Sequence, residues 1–220
     1  MTIANLIDVN KSYGEQKVIE GFNYAFEAGK IYAITGPSGS GKSTLLNIIG
    51  LLEKPDQGSV ELLGKRDIRP TSRQAMLMLR YEIGYLFQNF ALIDNQMVRD
   101  NLMVALAYHK GKDKDQCIAK ALTQVGLAGI EKKKVYQCSG GEQQRIAVAR
   151  LLLKPCQLIL ADEPTGSLDE DNKHIIFNLL TLLNEGGKTI IVVSHDPEIL
   201  DLCHAEIPLQ ISQRSSVQAS

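Results

Sequence analysis

The chain has 220 residues, of which 44% are hydrophobic and 22% are charged, and its formal net charge at pH 7 is −1. This length allows one large domain with its own apolar core, and the average composition argues against a disordered or fibrous chain. The 24 basic residues are balanced by 25 acidic ones. The chain therefore lacks the excess of positive charge that would indicate a nucleic-acid partner.

The first part of the chain alternates between strand and helix patterns. Residues 3–9 and 22–26 predict two antiparallel strands around a turn at 13–16. Residues 30–35 then predict a short apolar strand that leads into a glycine-rich loop, and 43–52 has the apolar spacing of a helix. The predicted order is therefore strand, loop and helix.

The middle of the chain changes from an α/β pattern to a helical one. Residues 59–63 and 83–87 predict two more strands, with a polar helix near 72–79 between them. Only helical periodicity follows, and the predicted helices are 98–108, 114–125 and 142–153. We interpret residues 89–154 as a helical subdomain inserted into the α/β core.

The last part of the chain returns to the α/β pattern. Residues 157–161 and 189–194 are apolar runs typical of buried parallel strands, and 169–183 predicts the helix between them. Beyond residue 196 we expect only a short helix and then a polar tail, 210–220, that frays.

The cysteines and the N-terminal residues bear on the compartment. The cysteines are Cys117, Cys138, Cys156 and Cys203. They are widely spread and form no C-x-x-C pair, which favours reduced thiols in the cytoplasm over disulfides or a metal site. The chain opens without a signal-peptide pattern, and no apolar run approaches the roughly 18 residues of a transmembrane helix. We therefore expect no direct membrane insertion, and we interpret the basic run Lys132–Lys134 as a solvated turn.

The strongest chemical signal lies in the glycine-rich loop. Its residues are Gly36, Pro37, Ser38, Gly39, Ser40, Gly41, Lys42 and Ser43. Such glycines let successive backbone N–H groups converge on phosphate oxygens at the positive end of the next helix. Lys42 can reach the outer phosphates, and the Ser43 hydroxyl can bind Mg²⁺. The loop predicts binding of ATP and Mg²⁺, against the alternative of an ordinary glycine-rich turn.

A second acidic site follows the apolar strand predicted at 157–161. Magnesium held between phosphates takes a carboxylate from another strand end, and Asp162 is placed to face the metal. The adjacent Glu163 is placed to act as general base on the attacking water. The alternative is that two carboxylates merely end a strand, and the phosphate loop weighs against it.

A Ser-Gly-Gly-Glu turn precedes the helix predicted at 142–153. Ser139 is suited to cap this helix and Glu142 lies at capping-box spacing, so a cap alone is one interpretation. However, Gly140 and Gly141 lower helix propensity and expose N–H groups, which makes the turn a second potential anion site. Since one nucleotide does not need two such sites on one chain, we expect each site to face a phosphate held by a second subunit.

Together these motifs resemble those of the ATP-binding subunit of an ATP-binding cassette (ABC) transporter, over nearly all of residues 1–200. The phosphate loop resembles Walker A, residues 158–163 resemble Walker B, and residues 139–143 resemble the signature motif, which in this family contacts the opposite subunit's γ-phosphate. The resemblance implies an α/β P-loop NTPase core of the ABC type, with a mainly parallel sheet, an N-terminal antiparallel β subdomain and an inserted helical subdomain.

The resemblance also implies domain limits. A single ATP-binding domain would span residues 1–209. Its catalytic core would comprise 1–88 and 155–209, and 89–154 would be the helical subdomain that carries the signature motif. The polar tail, 210–220, would lie outside the domain.

Further roles come from the resemblance alone. Tyr13 would stack on the adenine, Gln88 would sense Mg²⁺ and the attacking water, and His195 would contact the γ-phosphate. Without the family, these three would be interpreted as a packed aromatic, a surface amide and a histidine at a strand end. The implied catalytic residues are Lys42, Gln88, Glu163 and His195. The implied Mg²⁺ ligands are Ser43, Gln88 and Asp162.

The remaining implied contacts involve the nucleotide and a second subunit. The nucleotide site would also include Thr44, Ser139, Gly140, Gly141 and Glu142. The segment Ser167, Leu168 and Asp169 resembles the D-loop, which in the family runs along the dimer interface together with Ser139 and Gly141.

Within the family, the motifs resemble the group that includes MacB, LolD and FtsE. Cys138 stands where leucine usually precedes the signature serine, and the end of the domain at 203–209 is unusual. Because cysteine is small and apolar, we expect the signature geometry to survive.

The expected function is that of an ATPase subunit that powers an exporter of peptide, lipoprotein or drug-like cargo. The expected partners are a multispanning membrane permease and a second ATP-binding subunit, with a homodimer favoured over a heterodimer. The chain would then lie on the cytoplasmic face of the membrane, held there by its permease. One alternative is an ABC ATPase that regulates a cell-envelope or division complex without transport. Another is a nucleotide kinase, which leaves the turn at Ser139 unexplained.

Overall fold

The structure is a computed structural model that describes residues 1–108, 111 and 113–210. Its strands are β1 Thr2–Tyr13, β2 Gln16–Glu27, β3 Ile31–Thr35, β4 Gln57–Leu62, β5 Lys65–Arg66, β6 Ile83–Leu86, β7 Leu158–Asp162, β8 Thr189–Val193 and β9 Ala205–Pro208. Its α-helices are α1 Lys42–Ile49, α2 Arg73–Tyr81, α3 Val98–Met103, α4 Lys114–Gln124, α5 Gly140–Leu153, α6 Glu170–Glu185 and α7 Pro197–Leu202.

The strands form two sheets. An antiparallel sheet has the order β2-β1-β4-β5, and a parallel sheet has the order β6-β7-β8-β3-β9. Every residue of β3 and β8 is buried, as expected for parallel strands covered on both faces. The predicted fold class, a mainly parallel α/β core with an N-terminal antiparallel sheet and a helical insertion, is therefore confirmed.

Two apolar cores cover opposite faces of the parallel sheet. Side chains alternate along a strand, so Ile190 and Val192 of β8 belong to the first core, whereas Ile191 and Val193 belong to the second. The first core continues into α3, α4, α5 and α6, and the second continues into α1, α2 and the antiparallel sheet. Since the helical segment at 89–154 shares a continuous core with the sheet, its division as a subdomain stays an interpretation.

The expectation that only a short helix follows residue 196 was wrong. The four-residue strand β9 follows α7 and pairs in parallel with β3 at the edge of the sheet. The Thr35 hydroxyl donates to Oε1 of Glu206 at 2.7 Å, and Ile207 packs into the second core. The segment is too short for a periodic pattern, and Pro208 is tolerated because an edge strand needs no second hydrogen-bonded neighbour. Residues 211–220 of the predicted tail lie outside the described residues.

Smaller differences concern the ends of elements and the short strand β5, which the sequence analysis did not predict. The helix expected at 98–108 is α-helical only to Met103 and continues as a 3₁₀ turn at Val104–Leu106. Among the helices of the described residues, none combines the length and the apolar character needed to cross a membrane.

The docking of β9 can be tested by stability. Ile207→Ala should lower the free energy of unfolding by about 2–4 kcal/mol, because Ile207 is only 4% exposed. Ile93→Ala is the control, and it should change the free energy by about 0.5 kcal/mol or less because Ile93 is 50% exposed. Urea denaturation followed by circular dichroism measures both values. Equal effects of the two substitutions would contradict the placement of β9.

Candidate functional site

Parallel pairing brings the predicted chemistry to one edge of the sheet. β3, β7 and β8 lie side by side, and their carboxyl ends lead into Gly36, Asp162 and Ser194. β6 pairs with β7, and Gln88 lies two residues beyond its last residue. Because the carboxyl ends of parallel strands meet at the same edge, these residues all lie at one edge of the parallel sheet.

The backbone of the phosphate loop requires its glycines. Gly39 and Gly41 have φ values of 81° and 90°, which favour residues without a side chain. A Cβ at Gly41 would lie 2.7 Å from Cγ1 of Val18, and one at Gly36 would lie 2.2 Å from the carbonyl oxygen of Leu209. No side chain caps α1, so the first N–H groups of this helix remain available to an anion.

Lys42 and Ser40 place polar groups inside this loop. Lys42 is 9% exposed, and its Nζ donates to the carbonyl oxygens of Gly36 at 2.7 Å and Pro37 at 2.9 Å. Ser40 is 1% exposed, and within the described residues its hydroxyl has no hydrogen-bond partner. An ammonium held against its own loop and an unpaired buried hydroxyl fit a phosphate group, whose oxygens accept from both.

Ser43 and Asp162 come together although 119 residues separate them. The Ser43 hydroxyl donates to Oδ1 of Asp162 at 3.2 Å. Burial raises the pKa of Asp162, and the Ser43 hydroxyl and the Lys42 ammonium oppose that shift. Hydroxyl and carboxylate oxygens are ligands that Mg²⁺ prefers, so this pair fits the predicted metal site. Gln88, the third predicted ligand, is exposed in the turn after β6.

Glu163 follows β7 in a left-handed backbone conformation with φ 45°, which is uncommon for a residue with a side chain. Its N–H donates to the carbonyl oxygen of Val193 at 2.9 Å, which ties the residue to the end of β8. Burial raises the pKa of the Glu163 carboxyl, against the opposing effects of His195 and Lys42. A carboxylate of raised pKa accepts a proton from water more readily than an ordinary one.

His195 lies beside Glu163 at the end of β8. Its Nε2 is 3.7 Å from Oε1 of Glu163, and its side chain is 53% exposed. The next residue, Asp196, caps α7 and accepts a hydrogen bond from the Thr165 hydroxyl at 3.4 Å. An open cleft of about 490 Å³ adjoins these residues, so solvent and ligand have access to the Glu163 carboxyl.

Tyr13 is anchored at its hydroxyl and open at its ring. The hydroxyl donates to Oε1 of Glu53 at 2.6 Å, and Lys11 Nζ lies 3.1 Å from the same oxygen. Partial burial and, after it, Glu53 raise the pKa of this hydroxyl. A hydrogen bond with Thr44 of α1 opposes the shift. Half of Tyr13 is exposed, which leaves ring surface beside the loop for a base. Its stacking on adenine stays a prediction.

The turn at Ser139 forms the predicted capping box. The Ser139 hydroxyl accepts from the N–H of Glu142 at 3.2 Å, and the N–H of Ser139 donates to Oε2 of Glu142 at 2.8 Å. Lys133 Nζ lies 3.0 Å from that same oxygen, so this lysine of the run Lys132–Lys134 also supports the signature turn, while its two neighbours are exposed. Burial raises the pKa of Glu142, but Lys133 and the Ser139 N–H together lower it below its usual value.

The signature turn is packed against the start of α6 in the same chain. A Cβ at Gly141 would lie 2.3 Å from Oδ1 of Asn172, which also accepts a hydrogen bond from Arg145. Asp169 caps α6 through the N–H of Asn172 at 2.9 Å, while Ser167 is exposed. In the described residues, no hydrogen bond or ion pair joins this turn to the phosphate loop of its own chain.

Several residues of this region escaped the sequence analysis. Asn172, Lys133 and Glu53 lie outside the motifs, and their roles depend on contacts between distant segments. Gln144 gives a detectable signal, because it is a polar residue on the buried face of α5, where Ile146, Ala147, Val148 and Ala149 follow. A polar residue in an apolar helix face indicates a specific hydrogen bond.

The fold, the glycine-rich loop and the carboxylates at the strand ends define a P-loop nucleoside triphosphatase. Residues 19–166 match the ABC transporter family. The uncharacterized ABC transporter ATP-binding protein YvrO of Bacillus subtilis is 41% identical over 201 residues, which cover 88% of this chain and 87% of YvrO. The lipoprotein-releasing system ATP-binding protein LolD of Aquifex aeolicus is 34% identical over 92% of both chains. The chain therefore belongs to the ABC transporter family and is an ATPase of that family.

Two further similarities extend this assignment. The macrolide export ATP-binding/permease protein MacB of Chlorobaculum tepidum is 39% identical over 211 residues, which cover 93% of this chain and 32% of MacB. The chain thus spans about a third of the length of MacB. The dimeric post-hydrolysis structure of the ATP-binding cassette MJ0796, bound to ADP and Pi, superposes with a TM-score of 0.86 at 34% identity and covers 96% and 97% of the two chains. The resemblance inferred from the motifs is confirmed.

Two glycines of the phosphate loop provide a matched test of its geometry. Gly41→Ala should abolish ATP binding. It should also lower the free energy of unfolding by more than Gly39→Ala does. Both positions have positive φ, but only a Cβ at Gly41 clashes, whereas one at Gly39 meets no atom within 4 Å. The φ penalty common to both is about 1–2 kcal/mol. Fluorescent ATP titration and urea denaturation measure the effects, and indistinguishable variants would contradict the close packing of the loop on β2.

Proposed function

We propose that two copies of this chain close around two ATP molecules and that ATP hydrolysis reopens them to drive a membrane transporter. The observation that carries the proposal is the division of the site. The phosphate loop and the carboxylates lie at one edge of the sheet. The signature turn packs against Asn172 of α6, pairs with Lys133 and, among the described residues, makes no polar contact with its own phosphate loop. A second chain would bring the two halves together.

The chain's own residues account for the steps of hydrolysis under this proposal. Glu163 takes a proton from the attacking water while the water oxygen bonds to the γ-phosphorus. The bond between the γ-phosphorus and the β–γ bridging oxygen breaks. Lys42 would leave its two loop carbonyls to pair with phosphate oxygens. His195 would bind the γ-phosphate beside Glu163. Ser43, Asp162 and Gln88 would hold Mg²⁺, which when bound neutralises charge on the phosphates.

The known relatives support a dimer and an exporter. The MJ0796 cassette was solved as a dimer with ADP and Pi, MacB is a macrolide exporter, and LolD belongs to a lipoprotein-releasing system. By analogy we propose a homodimer that binds a multispanning permease and thereby lies on the cytoplasmic face of a membrane. The proposed cargo is a peptide, a lipoprotein or a drug-like molecule.

Glu163→Gln tests the catalytic proposal. The substitution keeps the shape of the side chain but removes the base, so turnover should fall by about 10²–10⁴-fold. ATP binding should persist, and ATP should convert the variant to a stable dimer that size-exclusion chromatography with light scattering detects. Glu185→Gln, at the exposed end of α6, is the matched control and should hydrolyse ATP like the parent chain. Undiminished hydrolysis by Glu163→Gln would refute the assigned base.

The transport proposal has a separate test. A chain carrying Glu163→Gln and an affinity tag should recover a multispanning protein from detergent-solubilised membranes of its own host when ATP is present. The amount of that protein should fall when Lys42→Ala is added, because the double variant cannot close on ATP. Recovery of a division or envelope complex without a transport channel would support the regulatory alternative and contradict transport.

A further inference from the structure

A buried hydrogen bond joins the signature helix α5 to the segment that carries Glu163. Nε2 of Gln144 donates to the carbonyl oxygen of Pro164 at 2.6 Å. Gln144 is only 1% exposed, and Pro164 is buried as well. Water does not compete for such a buried bond. The bond therefore holds the two segments at a fixed separation more firmly than an exposed bond would.

This bond lies next to the unusual backbone of Glu163. On the N-terminal side, the Glu163 N–H is bonded to Val193 O at 2.9 Å. On the C-terminal side, the next carbonyl, that of Pro164, is the one bonded to Gln144. A residue with φ 45° keeps that conformation only when its surroundings hold it, and these two bonds lie on either side of it.

The buried amide of Gln144 is not explained by packing. A buried polar group is costly unless it is hydrogen-bonded, and Oε1 of Gln144 has no partner within the described residues. A methionine or leucine would fill a similar volume on this face of α5 without that cost. Among the described residues, the bond from Nε2 to Pro164 O is therefore the contact that accounts for a side-chain donor at position 144.

We propose that Gln144 is a positioning residue that holds Glu163 in its catalytic conformation and transmits to it the position of the signature turn. Gln144 lies in the second turn of α5, which begins directly after Ser139. A movement of this turn onto the partner's nucleotide therefore shifts the Pro164 carbonyl and, with it, Glu163 of the same chain. The inference rests on the proposed role of Glu163 as general base, and it links the two ATP sites of the dimer through one side chain.

Two substitutions of Gln144 in the full chain separate this role from a structural one. Gln144→Ala removes the donor, and Gln144→Glu places an acceptor where the donor was. Both should lower kcat by about tenfold or more, with KM for ATP changed by less than about twofold, because misplacing a reacting group affects the chemical step. Gln124→Glu, at the exposed end of α4, is the matched control and should keep the parent values.

The pH dependence of Gln144→Glu provides the decisive readout. A buried carboxyl facing a carbonyl oxygen has a raised pKa, and only its protonated form can donate to Pro164 O. The ratio of the kcat of Gln144→Glu to that of the parent should therefore rise as the pH falls from 8.5 to 6. The same ratio for Gln144→Ala should stay constant, since alanine has no proton to supply.

Folding and dimerisation are measured on the same variants. Combined with Glu163→Gln, Gln144→Ala should still bind ATP and form the ATP-dependent dimer. The inference is overturned if kcat stays within about twofold of the parent, if the loss only parallels a loss of folded protein or of ATP binding, or if both pH ratios are flat. If only the inference about Gln144 fails, Glu163→Gln is still inactive. If the proposed role of Glu163 fails, the Glu163→Gln chain hydrolyses ATP like the parent.

Discussion

The site depends on the pairing of β7 with β8. Five paired positions, from Leu158 opposite Thr189 to Asp162 opposite Val193, align the two strands so that both end at one edge. The same register lets the N–H of Glu163 reach Val193 O, and β3 on the far side of β8 delivers the phosphate loop to that edge. A shift of β7 by one residue relative to β8 would move the side chains of β7 to the opposite faces of the sheet. It would also separate the phosphate loop from Asp162 and Glu163.

The helical segment contributes to this site through α5. Among the described residues, its signature turn makes no polar contact with the phosphate loop of the same chain. The N-terminal turn of α5 is a capping box reinforced by Lys133, its second turn holds Pro164, and its later residues pack into the first core. Cys138 fits this arrangement, since it is buried and its Sγ is 3.7 Å from the carbonyl oxygen of Lys134. One rigid helix thus connects a surface turn to the centre of the chemistry.

Local patterns in the sequence were sufficient for the parts of the site that are local in the chain. The glycine-rich loop, the strand-end carboxylates and the capping box each depend on residues within a few positions, so composition and spacing predict them. The strand β9 and the pair of Lys133 with Glu142 depend on tertiary contacts, and so escaped prediction. Tyr13, Gln88, His195 and the D-loop residues came from the family resemblance, and their roles remain predictions.

The left-handed conformation of Glu163 has a consequence for how this fold can evolve. A non-glycine residue at φ 45° costs roughly 1–2 kcal/mol relative to an ordinary backbone. Glycine at this position would relieve that cost but would remove the carboxylate. Selection for stability and selection for turnover therefore act in opposite directions at position 163, and thermostabilising screens that ignore turnover would favour inactive chains.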